Sequence, residues 1–67
     1  MFEVRKDEGF TPQPGEPWGT LVSRHRTRKA AEIKMRREMS VYAREFYGAD
    51  WRRHVDAYAE IFHVERS

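Results

Sequence analysis

The densest collection of side chains able to do chemistry is RHRTRKAAEIKMRR, the run from Arg24 to Arg37. It holds seven of the thirteen Lys and Arg residues and one acid, Glu32. Residues 1–23 carry two basic and four acidic side chains and residues 38–67 four and six, so a net charge of +2 hides one cationic segment between two acidic ones. Such a segment is suited to anions. Guanidinium groups make bidentate hydrogen bonds to phosphate or to a guanine edge, and the first amides of a helix also favour negative charge. Arg24, Arg26, Arg28, Lys29, Arg36, Arg37 and Arg44 are therefore the candidate nucleic-acid contacts. Ser23, Thr27 and Ser40 offer hydroxyls to the same backbone.

The same residues admit a plainer reading. Arginine is a good helix former, and Glu32 to Arg36 and Lys34 to Glu38 have the spacing of intrahelical ion pairs, so part of the charge serves a solvated helix face. Ile33 falls within the cationic face, Val41 at its margin and Tyr47 at its end; apolar groups ringed by arginine suit a protein interface. The alternative function is thus an interaction module or inhibitor of the phage or mobile-element type, docking on a larger, acidic protein. A homodimer through Ile33, Val41 and Tyr47 is a further option.

Catalysis and metal binding find no support. His25, His54 and His63 show no helical i,i+3 or i,i+4 spacing, and there is no cysteine, so no metal or cofactor is expected. Ser23, Ser40 and Ser67 sit in no nucleophile elbow, and Gly15 and Gly19 lack the spacing of a phosphate-cradling loop. Asp56 and Glu60 read as solvent-facing carboxylates. The expected role is binding rather than an enzymatic one.

These residues need elements to hold them. FEVRK alternates apolar and polar positions, which predicts a strand over residues 2 to 6; TLVSRH, Thr20 to His25, predicts a second that can pair with it. Between them, DEGFTPQPGEPWG places three prolines and three glycines in thirteen residues and predicts a loop over 7–19, with Trp18 folding back onto the core. Thr27 is suited to cap a helix running to about Tyr47 and ended by Gly48. Its apolar stripe is Ala31, Met35, Met39, Tyr42 and Phe46.

The last segment is ambiguous. Trp51, Val55, Tyr58 and Phe62 fit a second helix capped by Asp50, whereas AYAEIFHVE alternates like a strand; the preference is for a closing strand near 57 to 65 after a short helical turn. The expected fold is a single α+β domain over 1–67, ββαβ in order, its meander-like antiparallel sheet covered by one long amphipathic helix. The alternative is ββαα.

Size and composition agree with a small binding module. Sixty-seven residues leave a thin margin of stability and no room for a large enclosed active site. Mean hydropathy is −0.95, yet nine aromatic residues argue for a core. Absence of cysteine and of any long apolar stretch points to a soluble, cytoplasmic protein in a reducing compartment, with no membrane partner. In element order, a strand pair followed by a basic helix is similar to the arm-type DNA-binding domains of tyrosine recombinases. That similarity implies a DNA-facing role and transfers no residue assignment.

Overall fold

The computed structural model describes residues 1–7, 9, 14–15 and 18–67. Strand β1 (Phe2–Lys6) is followed by β2 (Thr20–His25), helix α1 (Arg28–Tyr47), a 3-10 turn (Gly48–Asp50), the four-residue helix α2 (Trp51–His54), a second 3-10 stretch (Val55–Glu60) and strand β3 (Phe62–Arg66). The three strands form an antiparallel sheet in the order β2-β1-β3, covered by one long helix, so the chain is a small α+β fold of ββαβ order.

Two expectations need correction. The sheet is not a simple meander, because β1 lies in the middle. The chain returns from α1 to the free edge of β1 and pairs there, with Val4 opposite Val64. Helical structure also persists through Glu60, so β3 begins five residues later than the alternation of AYAEIFHVE predicts. Val55 and Tyr58 pack against the core from this helical stretch and Ile61 from the turn that follows it, and that packing outweighs the strand-like alternation of residues 57 to 61.

Alternation on β1 separates two environments. Val4 points to the helix and is buried with Ala31, Met39 and Phe62, while Phe2, Val22, Met35, Tyr42 and Val64 pack around them. Burying Phe62 alone contributes about 1.5–3 kcal/mol. Glu3 and Arg5 point to the opposite face and are also buried. The β1–β2 register shifts between Val4 and Arg5, and Val22 is the extra residue of the resulting bulge, which keeps it against the core. Gly19 opens β2 at φ +66°; a Cβ there would lie 2.4 Å from the Lys6 carbonyl oxygen, so only glycine lets the two chains approach so closely.

Thr27 caps α1 as expected, its Oγ1 accepting from the Ala30 amide at 3.1 Å. Gly48 ends the helix at φ +56° and donates its N–H to the Arg44 carbonyl. Twenty helical residues span about 30 Å, whereas a five-residue strand spans about 17 Å, so the helix outruns its sheet. Residues 51–60 fold back under part of the overhang, where the Tyr58 and Tyr42 rings lie 6.2 Å apart. Phe46 is left 74% exposed although the apolar stripe assigned it to the core, and Ala43 is buried instead.

Three smaller expectations also fail. Asp50 makes no capping hydrogen bond and lies inside the 3-10 turn. Trp18 is not in the core cluster; it meets the His63 ring edge-on at 4.0 Å. Arg36 reaches Asp56 rather than Glu32, while Lys34 and Glu38 do pair, at 2.9 Å. In the stretch between β1 and β2, residues 8, 10–13, 16 and 17 lie outside the described residues, so the loop expected over 7–19 is described only in part.

Candidate nucleic-acid interface

The solvent side of α1 gathers what the sequence places there by periodicity. Ile33, Arg36, Arg37, Ser40, Val41 and Arg44 line one shallow open groove along the helix, and Lys29 lies on the same face one turn nearer the N-terminus. Ile33 and Val41 are about half exposed, at 48% and 50%. Arg37 and Lys29 have no acidic partner among the described residues. Arg36 has a loose one: its Nη2 stands 3.5 Å from Asp56 Oδ1, with both side chains mostly in solvent, where such a pair is worth about 0–1 kcal/mol. The Ser40 hydroxyl donates to the Arg36 carbonyl at 2.9 Å and retains its capacity to accept.

The basic residues before the helix are arranged otherwise. Arg24 does not join the groove. It lies across the strand pair from Glu3, on the sheet face away from α1, and its Nε donates to Glu3 Oε2 at 2.9 Å. Arg5 donates from Nε to the other oxygen at 3.0 Å and from Nη1 to the Gly19 carbonyl at 3.1 Å, with Glu65 at 3.5 Å. Burial pushes the Glu3 carboxyl up, but the hydrogen bonds and charges of Arg5 and Arg24 outweigh it and hold its pKa below the ordinary value. Arg24 is thus paired with Glu3 while its side chain stays 61% exposed, and it lies on the sheet face away from the α1 groove rather than in line with it.

Arg26 is exposed at the turn into α1. Arg28 lies over the Phe2 ring at 5.4 Å and lines a separate cleft with Glu32, Met35 and Phe62 between α1 and β3. Thr27 is occupied as the cap, and the Ser23 hydroxyl is within 2.8 Å of His25 Nε2. Tyr47 stacks on His54 at 3.8 Å and retains 43% exposure. It also lies close enough to Tyr58 to help raise that phenol above its usual pKa, after the larger effect of burial.

The sequence reading missed Trp51 and Arg52. The guanidinium of Arg44 lies 4.3 Å from the Trp51 ring centroid and that of Arg52 5.0 Å from it. Gly48 turns the chain sharply, which returns Trp51 to the end of the helix. The available signal was the aromatic-basic string WRRH directly after a helix-ending glycine.

Among the described residues no group of three or more His, Asp or Glu side chains is placed to hold a metal ion, and no helix is long and apolar enough to cross a membrane. No protein-family model, curated protein or solved structure matches this chain.

Proposed function

We propose that this protein is a small accessory nucleic-acid binder that works without chemistry, using the outward face of α1. One observation carries the proposal: Lys29, Arg36, Arg37 and Arg44 share that face over the length of the helix, and their only carboxylate contact among the described residues is the loose one to Asp56. Cations left unpaired cost little to bring onto phosphates, and each contact releases counterions. A catalytic role has little to draw on. The Ser23–His25 pair has no acid hydrogen-bonded to the imidazole among the described residues, and it belongs to a single strand rather than to a cleft. A cytoplasmic location, inferred from the lack of cysteine, belongs to the same proposal.

A second function is favoured by a different observation: Ile33 and Val41 are half exposed inside the arginine groove. An acidic protein bearing apolar anchors would fill that groove, and the chain would then act as an adaptor or inhibitor. Fluorescence anisotropy with labelled duplex DNA and single-stranded RNA, at low and near-physiological salt, separates the two. Micromolar or tighter binding that weakens steeply with salt supports nucleic acid; no binding at low salt removes it and leaves the protein partner.

A further inference from the structure

A three-stranded sheet has two edges, and here they differ. The bulge at Val22 distorts β2, whereas the register of β3 is regular. The phase of the β1–β3 ladder is set at its ends: the Ser67 amide donates to the Met1 carbonyl at 2.9 Å, and the Asp7 amide to the Ile61 carbonyl at 2.8 Å. Ile61, His63, Glu65 and Ser67 therefore bond to β1. Phe62, Val64 and Arg66 turn their N–H and C=O groups to the other side, where no strand lies among the described residues.

That edge borders the cleft between α1 and β3. Met35, Phe62 and Val64 give the cleft an apolar wall continuous with the core, and Arg28 and Arg36 line its helix side with Glu32 between them. Arg28 belongs to the Arg66 end, since it lies over Phe2, the residue paired with Arg66. Arg36 lies about two turns further along α1, where it meets Asp56. Arg28 has no acidic partner among the described residues, and Arg36 only this loose one. Eight helical residues separate the two guanidinium groups by about 12 Å of rise, close to the span of about 13 Å for four residues of strand.

A row of outward donors and acceptors is completed by another peptide backbone, and the cleft beside it selects the side chains that backbone carries. We infer that the α1–β3 cleft takes an extended peptide segment as a fourth strand, antiparallel to β3, with an apolar side chain over Val64 and a carboxylate two residues to either side, one at Arg28 and one at Arg36. Glu32 excludes a carboxylate from the central position. This site is separate from the α1 groove, with which it shares only Arg36. A second copy of the chain fits less well: the antiparallel register that joins all three outward residues sets each Arg66 against the other chain's Phe62, bringing cation to cation near Arg36.

The experiment measures anisotropy of a labelled heptapeptide, TDTVTDT, with the full chain. The wild-type protein should bind it with a Kd below about 1 mM, and at least about tenfold more tightly than TKTVTKT. N-methylation of the central valine removes the N–H directed at β3 and should weaken binding at least about tenfold; N-methylation of a neighbouring threonine, whose N–H points to solvent, should leave it unchanged. Arg28→Glu should weaken binding about tenfold, while Arg37→Glu, which lines the groove and not the cleft, should not. Circular dichroism checks that both variants fold.

No binding up to about 1 mM, equal binding of the lysine peptide, or indifference to methylation of the valine overturns the inference and leaves the nucleic-acid proposal standing. Light scattering supplies the remaining arm. A dimer of the free protein that Arg66→Pro dissociates, by deleting an outward N–H of β3, assigns the edge to a second copy and overturns the inference.

Discussion

Arg5 and Arg37 carry the same guanidinium in opposite circumstances. Arg5 is buried on the outer sheet face, held by Glu3, Glu65 and the Gly19 carbonyl. Arg37 stands in solvent on α1 with no acid beside it among the described residues. Net charge cannot distinguish them, and neither does residue type. What separates them is pairing: a cation whose desolvation has been offset by a carboxylate belongs to the fold, whereas one left in water is available to a ligand. Arg24 stands between the two, since its Nε is bonded to Glu3 while most of its side chain stays in solvent.

The comparison breaks first at Arg5. Arg5→Met keeps the stem and deletes the charge, leaving Glu3 buried beside one cation. The melting temperature should fall by about 10 °C or more, measured by circular dichroism, and a fall no larger than that of a surface substitution would show that the network is incidental. Reversal of Arg36 and Arg37 to Glu is the converse test. Melting should shift by no more than about 3 °C, while nucleic-acid affinity drops about 100-fold. Arg24→Gln sharpens the contrast, because it should lower stability and leave binding nearly intact.

Much of this contrast was legible beforehand, and the limits are physical. The period of 3.6 put Ile33, Arg36, Arg37, Ser40 and Arg44 on one side of α1, and the structure places them in one groove, because local helix geometry needs no tertiary information. Phe46 fits the apolar stripe equally well yet is exposed: how far a sheet reaches along a helix depends on strand length and order, which periodicity does not record. Glu3, Arg5 and Arg24 are 2 and 19 residues apart in sequence, and only the β1–β2 register brings Arg24 opposite Glu3. The Arg44–Trp51–Arg52 cluster needed the direction of the turn at Gly48.

Acid titration gives a smaller effect of defined sign. The folded-state pKa of Glu3 lies below its ordinary value of 4.5, so its contribution to stability is complete above that value and is lost as pH falls through the depressed pKa. Melting followed downward from neutrality should decline in this acid range. Glu3→Gln should start lower at neutral pH and decline less steeply, and an unchanged acid limb would place the responsible carboxylate elsewhere. The smallest effect is expected at Ile33. Ile33→Asp should alter stability by no more than about 0.5 kcal/mol in urea unfolding and reduce nucleic-acid affinity only severalfold. Abolished capture of a protein partner by this substitution would favour the second function.

The central claim is that the unpaired cations of α1 are the ligand-binding ones, and the salt dependence of binding tests it most directly. Plotted as log affinity against log salt for wild type and for the Arg36→Glu, Arg37→Glu variant, the account predicts a steep negative slope for the first and one shallower by about 2 for the second. Identical slopes, or no binding by the wild type at low salt, would contradict it.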